Sequence, residues 1–147
     1  MQARDAIELI CKEAGWSFNQ QDLALDKSKI DIAFDNYTFS LYALNSDVLL
    51  MRAVLFTLPQ NDDDAFEIAK KGATMTAAIW QDHKVNFTLE DKDICLELDV
   101  DVSLIDKNKL LSLCQNFLDD CDFFVEHLYS NESSERVDAF NFWGVNP

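Results

Sequence analysis

Val48-Leu49-Leu50-Met51-Arg52-Ala53-Val54-Leu55-Phe56-Thr57-Leu58-Pro59 decides the fold. It is apolar on both alternating faces except at Arg52 and Thr57, as in a strand covered on both sides. Pro59 has no N–H to give a ladder and stops it. Upstream, Asn45-Ser46-Asp47 reads as a turn, preceded by Tyr37, Phe39 and Leu41 alternating with Thr38, Ser40 and Tyr42. Asp35-Asn36 supplies another turn, and Ile30, Ile32 and Phe34 alternate with Asp31, Ala33 and Asp35. Residues 29–58 thus predict three consecutive antiparallel strands.

Downstream, Asp62-Asp63-Asp64 opens a helix running through Trp80, since acidic side chains suit a helix start. Its small residues Ala65, Ala69, Gly72, Ala73, Thr76 and Ala77 permit close backbone approach, either to the sheet or to a second subunit. His83 falls in a polar turn. Residues 84–102 give the cleanest period-two pattern, a hairpin turning at Asp91-Lys92-Asp93. Its second strand sets Ile94, Leu96, Leu98, Val100 and Val102 against Cys95, Glu97, Asp99 and Asp101, predicting one buried and one solvated acidic face. The last helix, about Lys107 to Tyr129, carries Leu110, Leu113, Cys114, Phe117, Leu118, Cys121, Phe124, Val125 and Leu128 at helical spacing. Asp106 is its expected cap, and Asp119, Asp120, Asp122 and Glu126 its expected solvated side. At the other end Ala3, Ala6, Ile7, Ile10, Cys11 and Ala14 predict a helix over 3–14 that stops at Gly15, with Trp16 and Phe18 following as an aromatic pair. The order α-β-β-β-α-β-β-α makes an α+β fold: three helices on an antiparallel twisted sheet. Residues 1–130 read as one domain. Residues 131–147 read as a tail, a polar spacer before Phe140, Phe142 and Trp143, whose end docks somewhere or stays disordered.

The 147 residues carry a formal net charge of −15, of which −3 lies in 1–61 and −12 in 62–147. Such a field repels nucleic acid and anionic lipid, and favours basic or amphipathic protein partners besides keeping the chain soluble. The four cysteines form no Cys-x-x-Cys pair, and His83 and His127 stand in no metal-binding motif. Glycine-rich phosphate loops and nucleophile elbows are absent from the sequence. Glu97, Asp99 and Asp101 share a strand face, but alternation on a solvated strand gives that pattern without function. The expectation is a binding protein with no cofactor, metal or catalytic group. Met1-Gln2-Ala3-Arg4-Asp5 does not read as a secretory leader and no run approaches a membrane span, so a reducing cytoplasm is expected.

The runs Ile30–Leu44, Asp47–Pro59 and Ile94–Val102, the last followed by a Leu- and Phe-rich helix, resemble the class I effector chaperones of bacterial type III secretion over residues 3–129. One departure is Ala77-Ala78-Ile79-Trp80-Gln81-Asp82, where that family commonly carries a Leu-Leu-x-Ala-Asn-like stretch. The resemblance implies a cytoplasmic homodimer, associated with virulence, that holds the N-terminal region of a secreted effector in a non-globular form. Strand addition to a sheet edge and helices laid in apolar grooves would hold the client. It would place a dimer contact at Ala69, Gly72, Ala73, Thr76 and Trp80, and client contacts at Leu9, Ile32, Phe34, Phe39, Leu41 and Tyr42. The alternative from charge alone is an acidic decoy that binds a folded basic protein.

Overall fold

The computed structural model describes residues 1–23 and 29–128. The expected order of elements is present: α1 (Ala3–Ala14), a one-turn α2 (Gln20–Leu23) that the sequence did not announce, β1 (Lys29–Ala33), β2 (Thr38–Ala43), β3 (Val48–Thr57), α3 (Asp62–His83), β4 (Asn86–Glu90), β5 (Asp93–Asp101), a 3-10 turn (Val102–Leu104) and α4 (Lys107–Leu128). The expectations for Tyr129 and for the tail 131–147 lie outside the described residues.

The five strands form one antiparallel sheet in the order β1-β2-β3-β5-β4. β3 is therefore central, with β2 on one side and β5 on the other, as its two apolar faces require. Leu49, Met51, Ala53 and Leu55 are buried; Met51 and Ala53 pair with Leu41 and Phe39 of β2, Leu49, Met51 and Ala53 pair with Val100, Leu98 and Leu96 of β5, and Leu55 sits at a register shift between Val54 and Phe56. On the opposite face Val48, Leu50, Arg52 and Val54 are only half-buried.

Local rules set the helix ends. Gly15 closes α1 at φ 73°, and its N–H with that of Trp16 satisfies carbonyls of the last turn. α3 is capped by Asn61, not by the acidic triplet: the Asn61 side chain accepts from the N–H groups of Asp63 and Asp64 at 2.9 and 3.1 Å. The triplet forms the first turn, where the helix dipole favours it. α3 also runs past Trp80 to His83, until Lys84 adopts φ 58°. Asp106 caps α4, accepting from Lys109 N at 2.8 Å.

Gly72 explains one contact of α3 with the sheet. A Cβ there would stand 2.3 Å from Phe87 Cε2 of β4, so the bare backbone is what admits the ring. Gly72→Ala gains roughly 1 kcal/mol of helix propensity, against about 1–3 kcal/mol for forcing a side chain into filled space. The expected outcome is a net loss in urea unfolding. In a Phe87→Ala background the same substitution becomes stabilising, and the double-mutant cycle measures the coupling.

Candidate functional site

α3 has two faces. Gly72, Met75, Thr76 and Ile79 are buried against the chain's own sheet and helices, and the Thr76 hydroxyl donates to Gly72 O at 2.9 Å. Phe66, Ala73, Ala77 and Trp80 face out, with Ala69 half-buried among them. These positions recur at helical spacing, which makes an exposed apolar stripe with a bulky side chain at each end. Phe66 is 63% exposed and Trp80 49%. The Lys84 ammonium sits 4.1 Å above the Trp80 ring. Leu89 of β4, the strand against which α3 packs, is also 49% exposed.

The opposite edge of the sheet is β1, beside an aromatic cluster. Trp16 lies 5.8 Å from Phe34 and 5.9 Å from Phe39, and Phe34 lies 5.2 Å from Tyr37. Phe39 continues the cluster inward to Phe117 of α4 at 5.8 Å. Its inner members are buried, while Trp16 and Phe18 after α1, Ile32 of β1 and Phe34 just beyond it are half-exposed. Among the described residues β1 is an edge strand, with α2 packed against it and half-exposed rings beside it, and a sheet edge is where an extended peptide can add as a strand.

The face of the sheet away from the large helices is polar at its centre. Arg52 projects there, paired with Glu90 and lying 3.7 Å from Glu97, with Cys95 Sγ at 3.4 Å. Ser40 bonds Asp31, and Lys29 stands 3.3 Å from Asp31 and 5.1 Å above the Tyr42 ring. Lys29, Asp31, Ser40, Tyr42, Arg52 and Glu90 line a shallow groove of about 450 Å³. Exposed Asp99 and Asp101 extend the acidic face expected for β5, whereas Cys95 is buried within it.

The described residues hold no group of three or more His, Cys, Asp or Glu placed to bind a metal ion, and no helix long and apolar enough to cross a membrane. All four cysteines are free and buried. Burial raises the Cys11 thiol, pushes Cys114 up to about 12 and lifts Cys121 well above its ordinary value, so these three stay protonated and act as small apolar side chains.

One pairing, of half-buried His83 with buried Asp120, departs from the sequence reading. Asp120, expected on the solvated side of α4, is buried, and His83, expected in a turn, is the last residue of α3. His83 Nδ1 lies 2.8 and 2.7 Å from the two carboxylate oxygens of Asp120, tying α3 to α4. Burial raises the Asp120 carboxyl above its usual range, and the His83 bonds offset this only in part. A carboxyl raised in the fold holds its proton more tightly folded than unfolded. Its contribution is therefore fully present below the ordinary value of about 4 and is lost as pH rises through the folded pKa. Asp120→Asn is expected to flatten that falling limb when urea midpoints are compared at stepped pH.

No family model matches the chain, and no curated protein matches it in sequence. Solved structures do match its shape. A chain of the ExsC–ExsE complex superposes with a TM-score of 0.59 at 16% identity, over 82% of this chain and 91% of the other. A chain of the HopA1–SchA chaperone–effector complex gives 0.53 at 11%, over 80% and 88%. The structure of the Yersinia pestis type III secretion chaperone SycH with a stable fragment of YscM2 gives 0.53 at 12%, over 83% and 98%. The chain has the type III secretion chaperone fold.

Within this chaperone fold the residues expected at a dimer contact divide. Ala69, Ala73 and Trp80 lie on the outward stripe of α3, but Gly72 and Thr76 face inward, so neither offers a surface to a second subunit. The residues expected to touch a client divide as well. Ile32 and Phe34 are half-exposed beside Trp16, and Leu9 is half-buried on α1. Phe39 and Leu41 are fully buried core, because β2 is an interior strand. Tyr42 lies on the opposite face of the sheet, beneath Lys29. Sequence reasoning did not assign Phe66, Trp16 and Phe18 to a surface. For Phe66 the signal was its helical spacing from Ala69, Ala73, Ala77 and Trp80.

Proposed function

We propose that this protein is a secretion chaperone without enzymatic activity: a homodimer joined through the outward stripe of α3 that holds an extended, amphipathic segment of a secreted client. What carries the reading is the pair of unpartnered apolar surfaces on a chaperone fold, the Phe66–Trp80 stripe and the Trp16–Phe34 edge of β1. They sit on opposite edges of the sheet, so two chains can join through one and keep both copies of the other free. The acidic charge suits a client with basic residues between its apolar ones, and keeps the loaded dimer soluble. The partner protein then supplies the missing strand and apolar side chains, which requires no hydrolysis.

The test is calorimetric titration with the N-terminal region of a secreted protein encoded beside this chain. The expected result is a complex of one segment per dimer with a large negative heat-capacity change, the mark of apolar burial and coupled ordering. Binding that requires a folded basic protein and collapses with salt would contradict the reading, and would fit the acidic decoy.

A further inference from the structure

We propose that the open face of the sheet, at the end where β2 turns into β3, is the docking surface for a basic amphipathic helix of a second protein. Among the described residues, the strand that the sequence marks as covered on both sides is covered on one only. Leu49, Met51, Ala53 and Leu55 are buried beneath the helices, whereas Val48, Leu50 and Val54 stay half-buried on the other face. The register shows what stands beside them. Tyr42 pairs with Leu50, and the Leu44 N–H donates to Val48 O at 3.0 Å. Tyr42, Leu44, Val48 and Leu50 thus form an apolar block across β2 and β3, and Leu44 is 53% exposed. A contiguous exposed apolar block marks an interaction surface, where a single exposed leucine would not.

The flanks of the block set the chemistry of its occupant. On the β5 side Asp99 pairs with Leu50 and Asp101 with Val48, and both aspartates are exposed. Asp47 is exposed at the turn beside them, its carbonyl accepting from Val102 N at 2.8 Å. On the β1 side Lys29 pairs with Tyr42 and stands 3.3 Å from Asp31. The block therefore has one acidic flank. A matching partner carries an apolar stripe with Lys or Arg along one side, while nucleic acid and anionic lipid are repelled. A second copy of this chain brings the same acidic flank and is a poorer match. The geometry suits a helix. β2 and β3 are interior strands whose backbone groups are occupied in the ladder, so an extended segment has no strand to join there. Asp99 and Asp101 stand two residues apart on a strand, about 6.8 Å, and basic residues four apart on a helix are separated by a rise of about 6 Å. The client seat proposed beside β1 uses the opposite face, where Ile32 pairs with Phe39, so both partners can be held at once.

The test titrates the full chain with a fluorescent model peptide of about 20 residues, with leucine at helical spacing and lysine down one flank. It is expected to bind at least about tenfold more tightly than a scrambled peptide of the same composition, which has the charge without the stripe. Leu44→Lys and, separately, Asp99→Lys are each expected to weaken binding at least about tenfold, the order that follows from losing one buried leucine or one charge pair. Both positions are exposed, so the circular dichroism spectrum and the solution mass should not change. Asp99→Lys is also expected to raise affinity for the same peptide with glutamate in place of lysine. Equal binding of the scrambled peptide would reduce the effect to bulk charge and overturn the proposal. Two folded variants that bind like the unsubstituted chain would overturn it as well. A lowered solution mass in Leu44→Lys would give the face to a second copy, and displacement of the peptide by the N-terminal region of a secreted client would give it to the client; either result also overturns the proposal.

Discussion

Phe39→Ala is expected to lower the unfolding free energy by about 3–5 kcal/mol, the cost of deleting a fully buried ring from a packed core. Phe39 has no exposed surface, and its ring lies within 6.3 Å of Trp16, Phe34 and Phe117. No side chain of comparable size stands ready to fill the space, because its neighbours come from separate segments: Trp16 after α1, Phe34 after β1 and Phe117 in α4. With a urea slope of about 2 kcal/mol per molar, the midpoint should fall by about 2 M. The control is Phe34→Ala. That ring belongs to the same cluster but sits half-exposed on the edge, so its loss should cost roughly half of the 1.5–3 kcal/mol assigned to full burial of a large apolar side chain. The pair separates two roles that sequence reasoning had merged. Phe39 is expected to matter for stability whether or not a client is present, and Phe34 chiefly for client affinity. Equal costs for the two substitutions would contradict this.

On the proposal that two chains join through the outward face of α3, Ala73→Arg is expected to leave a monomer, weakening self-association at least a hundredfold, or about 2.7 kcal/mol. Ala73 is exposed at the middle of the outward α3 stripe, between Ala69 and Ala77. In a two-fold contact the substitution enters twice, bringing two guanidinium groups together where apolar surface should close. Arginine is a good helix former and position 73 is exposed, so the monomer should keep its fold and its urea midpoint extrapolated to low concentration. Gly72→Ala, one residue away, should instead lower stability through Phe87. That contrast between adjacent residues, one acting on assembly and one on folding, is the signature of a two-faced α3. An unfolded Ala73→Arg chain, or an unchanged assembly, would refute it.

The sheet was legible because its signal is local. Alternation over 30–34, 37–42 and 94–101 marks strands, and the two-faced apolar run of 48–58 marks the central one. α4 was legible for the same reason, from the spacing of Leu110, Cys114, Phe117, Cys121 and Phe124. What alternation does not carry is strand order. Phe34 and Phe39 look alike along the chain and differ because Phe34 follows the edge strand β1 while Phe39 lies in the interior strand β2. Small residues carry a similar ambiguity. Gly72 and Ala73 both permit close approach, and only the position of Phe87, fifteen residues later, turns one inward. Asp120 was misplaced because its helix neighbours Asp119 and Asp122 are exposed or nearly so, and its partner His83 comes from a different helix. Local charge patterning has no access to a pair of that kind.

The central claim is an apolar dimer built on a chaperone fold, and light scattering of the purified full chain over a range of salt tests it most directly. The account predicts a species of twice 16.8 kDa whose mass does not change from low to high salt, because burial of apolar surface is not screened. A monomer at micromolar concentration, or a dimer that dissociates as salt rises, would contradict it.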